Sequence, residues 1–249
     1  MLLGDIVRHC DDLLNVRAIQ DSPEAQNGLQ VANAGTVSRI AAAVDLTAAT
    51  VKHAIAETAD LLIVHHGLSW SRSGPGGSYL ERFSELVRHG IALYSVHLPL
   101  DCHPELGNAA VLGRRLGVAH QEPFGVWHGQ PIGVRGELDI ARDALGDRLA
   151  EVLGAPPKRM LFGPPHANRI GIVTGAAASL MRQAGVAGLD TYITGEGNHH
   201  TYFEAEELHL NVFYGGHYAT ETFGVRALAE HLSATFGLPW VFLDHPTGL

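Results

Sequence analysis

Cysteine is scarce in this chain, with only Cys10 and Cys102 among 249 residues. They form no CxxC and no set of spaced pairs, which excludes a disulfide framework and a thiolate zinc site. Charge is sparse as well: 17% of residues are charged, so no segment reads as a long solvated or disordered tail. Lys and Arg number 17 against 26 Asp and Glu, and the basic residues never cluster. With a formal net charge of −9, nucleic-acid binding through a basic face is disfavoured, because that affinity rests on neutralised phosphates. A phosphorylated small molecule stays open, since bound metal ions would supply local positive charge. No apolar run approaches the length of a membrane span. The opening stretch MLLGDIVRHCDDLL is interrupted by Asp5, Arg8, Asp11 and Asp12, where a signal peptide needs an unbroken apolar core. The expected compartment is the cytoplasm. No GxxxxGK[ST] loop occurs, so ordinary NTPase chemistry is not supported.

What the chain does have is apolar content and histidine. A hydrophobic fraction of 46% and a mean hydropathy of +0.06 fit a sizeable core. Sixteen histidines nearly equal Lys and Arg together, and their positions decide what they mean. Residues 2–14 carry apolar side chains at helical spacing. DSPEAQNGLQVAN reads as a loop, with Asn27, Gly28 and Gln30 in a turn. Then strands and helices alternate: strand 39–47, a helix after Thr47 as N-cap, strand 61–67, a helix around YLERFSELVRHG, strand 91–97, and helix PELGNAAVLGRRLG. Such alternation predicts an α/β fold with a mostly parallel sheet covered on both faces.

The second half repeats the first. Strands at 169–175, 190–197 and 211–217 are joined by helices through ASLMRQAGV and YFEAEEL, with a last helix ETFGVRALAEHLS. Arg39 to Ile63 spans 24 positions, as does Arg169 to Ile193, and His97-x3-Asp101 matches His217-x3-Glu221. The offset falls from 130 to 120 between the two blocks, which an insertion near residues 71–78 explains. The expectation is two similar α/β lobes from an internal duplication, with a metal site in the cleft between them. The first lobe covers 1–121 and the second 122–249, with 122–165 a strand–helix–strand segment and the final helix packing back near the first lobe.

Ligand sites in α/β sheets gather at the carboxyl ends of strands, and that is where the chemistry-bearing residues stand. His65 and His66 follow LLIV, Asp101 follows SVHLPL, His217 closes NVFYGG, and Glu221 lies one turn beyond. Each motif alone has a structural explanation: hydrogen-bonded histidines, a proline-containing turn, or a helix start with Thr220 as N-cap. Together, at matching strand ends, they point to two divalent metal ions. Three imidazoles and two carboxylates suit zinc, iron or manganese, with carboxylates able to bridge. Cys102 adjoins Asp101 and is expected to pack inward. His97 is read as the symmetry mate of His217, either a partner orienting a ligand or, with Glu196, a candidate catalytic residue. Glu196, the mate of His66, reads with His199 and His200 first as a polar loop; the functional alternative has all three face the same cleft, with Glu196 a candidate for proton transfer.

VHHGLSW, VHLPLDCHPELGNAAVL, YITGEGNHH, GGHYATE and NGLQV together resemble the NGG-one-interacting-factor-three-like family, also labelled GTP cyclohydrolase 1 type 2 homologues. The resemblance implies a two-lobed subunit in a toroidal homohexamer, with a dinuclear metal centre on His65, His66, Asp101, His217 and Glu221. This chain resembles the short form, without an inserted domain. SPEAQNGLQV departs from the family pattern, which often has an aromatic residue and Asp before the Asn. The implied activity is metal-dependent hydrolysis of a nucleotide-like small molecule, with opening of the GTP imidazole ring as the candidate reaction. The other reading is a non-catalytic metal-binding scaffold or regulator. Open coordination separates the two, since a structural site is closed by protein ligands.

Overall fold

The computed structural model describes residues 1–70 and 76–249. In chain order the elements are α1 (Leu3–Leu13), β1 (Gly28–Val31), β2 (Ile40–Asp45), α2 (Ala48–Ala56), β3 (Leu61–His66), α3 (Ser78–Arg88), β4 (Ala92–Ser95), α4 (Leu98–Asp101) and α5 (Asn108–Leu116). Then come β5 (Ala119–Trp127), β6 (Gln130–Ala141), α6 (Arg142–Leu153), β7 (Lys158–Leu161), β8 (His166–Ile172), α7 (Met181–Val186) and β9 (Thr191–Thr194). The chain ends with α8 (Thr201–Glu207), β10 (Asn211–Tyr214), α9 (His217–Phe236) and β11 (Trp240–Phe242). Among the described residues, no helix is long and apolar enough to cross a membrane.

These elements make two units, each an α/β layer structure with its own sheet. The first holds residues 1–100 and 224–245, the second 101–223 and 246–249. The first sheet has the order β1-β4-β3-β2-β11, with β1 antiparallel and the other four strands parallel. The second has the order β5-β6-β8-β9-β10-β7. Its strands β8, β9 and β10 are parallel, while β5, β6 and β7 run antiparallel to their neighbours. The first sheet is thus mostly parallel, as expected, and the second is mixed.

Local chemistry explains the elements that position the site. Ala41, Ala42 and Ala43 of β2 are fully buried, and such small side chains let covering helices approach closely. Thr47 closes a capping box with Thr50 at the start of α2, satisfying backbone N–H groups that a helix leaves unpaired. β3 is buried along its whole length, as a strand covered on both faces must be. The core of the second unit joins α5 and α6, through Ala109, Leu112, Leu116, Leu145 and Leu149, to Ile170, Ile172, Ile193 and Phe213 of its sheet.

The duplication is visible in the topology. In each half an antiparallel edge strand precedes three parallel ones and returns to pair with the third: β1 with β4, and β7 with β10. The register is shared too, since Gly28 pairs with Ser95 and Lys158 with Tyr214. Asp60 accepts hydrogen bonds from the backbone N–H groups of Ser38 and Arg39. Asp190 does the same for Asn168 and Arg169, each residue 130 positions on.

Several expectations need correction. GLQV is the edge strand β1, not loop, and the unpredicted β11 pairs with β2. The 122–165 region opens with the hairpin β5–β6 rather than a single strand. Residues 101–121, assigned to the first lobe, belong to the second unit, because α5 buries its apolar face there. Leu61 and Thr191 are 130 residues apart, but their neighbours Ala92 and Asn211 are 119 apart. That register sets His97 against Gly216, so it is not the symmetry mate of His217. The proposed insertion falls partly on residues 71–75, which lie outside the described residues.

If the two aspartates are equivalent devices, Asp60→Ala and Asp190→Ala should each cost about 1–3 kcal/mol, the usual range for charged hydrogen bonds to backbone. Chemical denaturation of the two variants measures this, and a large loss in only one would break the equivalence.

Candidate metal centre

In the first unit, strand register sets two of three imidazoles. Asp45 pairs with His66 across β2 and β3, and its Oδ1 lies 2.8 Å from His66 Nδ1. On the other side of β3, Val64 pairs with Ser95, which brings the Val96 carbonyl within 3.0 Å of His65 Nδ1. His97 follows, its Nδ1 2.9 Å from Asp21 Oδ1. Carbonyl and carboxylate oxygens only accept, so all three Nδ1 atoms donate. In a neutral imidazole, Nε2 then carries the lone pair, which is the tautomer a metal ligand needs.

The donor atoms of His65, His66 and His97 lie within 4.8 Å of one another, and His65 and His66 are buried. Their number, chemistry and convergence fit a divalent metal. His97 therefore stands among candidate ligands rather than only beside them.

The loop before β1 holds this arrangement in place. Asp21 Oδ2 accepts from Leu98 N and from Asn27 Nδ2, while Asn27 Oδ1 accepts from His97 N at 2.7 Å. Gln30 Oε1 accepts from Leu68 N at 2.8 Å. Burial alone would raise the Asp21 carboxyl, but the His97 ring, the Asn27 amide and the Leu98 N–H outweigh it and hold the group below its usual value. Asn27 and Gln30, read as plain turn residues, are thus supports of the site. Asp21, Asp45 and Trp70 were missed altogether. For Asp45 a signal existed, since it stands at a strand's carboxyl end as the ligands do.

In the second unit, His217 and Glu221 are four residues apart at the start of α9, hence on one helix face. His217 Nε2 lies 3.1 Å from Glu221 Oε2, and its Nδ1 lies 2.7 Å from Glu196 Oε1. Burial disfavours the charged ring, but Glu221 and then Glu196 prevail and raise its pKa from 6.5 to about 10. Glu221 is buried and Glu196 exposed. Gly175, at φ +67°, has no Cβ because one would lie 2.2 Å from Glu221 Oε1. Thr220 is not an N-cap: the helix begins at His217, and the Thr220 hydroxyl donates to carbonyls of the first turn and accepts from Gly175 N at 3.1 Å.

Asp101 ends α4, where its Oδ1 accepts from the buried Asn108 side chain at 2.9 Å. Cys102 is half-buried. His199 and His200 are exposed in the turn before α8, and the His199 ring meets the edge of Phe203 on that helix.

Comparison with known proteins places the chain in a family. A protein of Deinococcus radiodurans named GTP cyclohydrolase 1 type 2 homolog is 40% identical, over 98% of this chain and 94% of that protein. One of the same name from Halobacterium salinarum is 43% identical over the full length of both. The crystal structure of TTHA1606 from Thermus thermophilus superposes with a TM-score of 0.92 at 41% identity, covering 100% of each chain. The family described as Duf34/NIF3 (NGG1p interacting factor 3) matches residues 1–247, and the chain belongs to it.

Proposed function

We propose that this protein binds two divalent cations through His65, His66, Asp101, His217 and Glu221, and hydrolyses a nucleotide-like small molecule. The observation that carries the metal reading is the trio of converging imidazoles whose Nδ1 protons are all committed to oxygen. Zinc, iron and manganese suit such nitrogen and carboxylate donors. A bound divalent ion supplies Lewis acidity and lowers the pKa of water toward neutrality. The chain's own residues do the rest: Asp45 and Asp21 fix ring orientation, and Glu196 holds the Nδ1 proton of His217. Glu196 is 48% exposed, so it can also exchange protons with solvent while bonded to His217. His97 serves as a further ligand or as a proton carrier beside Asp21. The relatives' name supports a GTP-like substrate for ring-opening hydrolysis.

A scaffold reading has its own support. α3 exposes Leu80, Phe83 and Val87, three apolar side chains along one helical face. Assembly into a homohexamer, as the family resemblance implies, and residence in the cytoplasm belong to either reading.

Metal analysis and GTP turnover on one preparation separate them. Wild type should hold about two ions per chain, and His217→Ala or Glu221→Ala should lose both metal and turnover. Metal without turnover of any nucleotide favours the scaffold, and no metal at all ends both readings.

Replacing the orienting carboxylates in Asp45→Asn and Asp21→Asn should weaken metal binding by roughly 10- to 100-fold. Chelator competition measures this, and unchanged affinity in both would remove the tautomer argument.

In metal-stripped protein the His217 imidazolium stabilises the fold. Its folded pKa is raised, so this contribution is complete below the unfolded value of 6.5 and is lost as pH rises through about 10. Thermal melts should decline across that window, and less steeply in Glu196→Gln. A profile identical in the two proteins would show the pair to be idle.

A further inference from the structure

Trp70 closes the 3-10 turn Leu68–Trp70 directly after the paired histidines. Its indole lies nearly parallel to the His66 imidazole, with centroids 4.4 Å apart and planes inclined by 20°. It also leans on His97, at 4.5 Å between centroids. The turn is tightly held. Leu68 is buried, its N–H donates to Gln30 Oε1, and Ser69 Oγ donates to Gln26 Oε1 at 2.7 Å. At Gly67 a Cβ would meet the Gln30 amide at 2.5 Å and the Ser95 hydroxyl at 2.6 Å. A side chain at this position would have to push the Gln30 amide and the Ser95 hydroxyl aside, so glycine suits the path that delivers Trp70 onto the imidazoles.

We propose that Trp70 is a positioning residue for metal binding, which stacks on His66 and His97 and favours their metal-bound state. This rests on the metal reading of the histidines. An imidazole that gives its lone pair to a dication becomes electron-poor. The electron-rich indole face attracts such a ring more strongly than a neutral one. By linkage, an interaction stronger in the loaded state tightens the ion. The stack also fixes the ring planes, so fewer orientations are lost when the ion arrives. A tryptophan that merely filled space would stabilise the fold equally with and without metal, and leave affinity unchanged.

Cobalt(II) titration of metal-stripped protein distinguishes these roles, followed by indole fluorescence and by chelator competition. Trp70→Ala should weaken cobalt binding by about 2- to 30-fold, the range of a cation–π contribution from exposed to desolvated. Trp70→Phe, with a weaker aromatic face, should recover part of that loss, and it carries the test if Trp70→Ala does not fold. Bound cobalt should quench fluorescence in wild type and in Trp127→Phe, while Trp70→Phe should lose most of that quenching. Unchanged affinity in Trp70→Ala, or undiminished quenching in Trp70→Phe, overturns the proposal while leaving the metal site intact. Wild type that takes up no cobalt overturns the metal reading itself, and this role with it.

Discussion

An imidazole can offer a metal only one of its nitrogens, and the hydrogen bond at the other decides which. In the first unit that bond is set three times by backbone position: Val96 O for His65, Asp45 for His66, Asp21 for His97. Two of the three follow directly from strand register. A slip of one residue between β2 and β3 would carry Asp45 away from His66 and turn alternate side chains to the wrong face. The buried runs of β2 and β3 are what forbid such a slip, since it would have to unpack a core of Ala41, Ala43, Leu62 and Val64. Core packing and ligand chemistry are therefore one constraint seen at two ends of the same strands.

The duplication shows how a single frame accommodates different chemistry. The aspartates that tie down strand entry, Asp60 and Asp190, keep their role in both halves. At the carboxyl ends the halves diverge. Position 66 is an imidazole and position 196 a carboxylate; position 65 is an imidazole and position 195 a glycine. Gly195 has its own reason, because a Cβ there would lie 2.6 Å from the Gly175 carbonyl and 2.9 Å from the His217 Cα. The second half uses its crowded strand ends to seat the first turn of α9, and lets that helix present His217 and Glu221. The first half presents its histidines from the strand itself.

What was legible in the sequence was what local pattern determines. LLIVHH is a run too apolar for a surface strand, Thr47 stands where a cap belongs, and each proved to be what its neighbours implied. The strands β1 and β11 were invisible for a physical reason: they are four and three residues long, and pairing rather than composition makes them strands. The match of His97 to His217 failed because equal spacing to an acid does not fix register, and one residue of slip changes the partner. Asp21 meets His97 across 76 positions of sequence, a contact that no periodicity encodes. The ligand candidates were readable because strand ends collect function; the carboxylates orienting them were not, because any loop aspartate looks like a solvated one.

The two units also differ in how their imidazoles are held. In the first, the hydrogen bonds at Nδ1 of His65, His66 and His97 leave Nε2 as the nitrogen that a neutral ring would offer. In the second, His217 sits between Glu196 and Glu221 and holds a proton on each nitrogen at neutral pH. The imidazolium lies against the buried Glu221 carboxylate and offsets its charge there. If His217 were to hold a divalent ion, its ring would have to give up a proton, so metal affinity there would rise with pH. The carboxylate that stands where the first half has His66 thus has a role of its own: it fixes the orientation of the His217 ring through Nδ1.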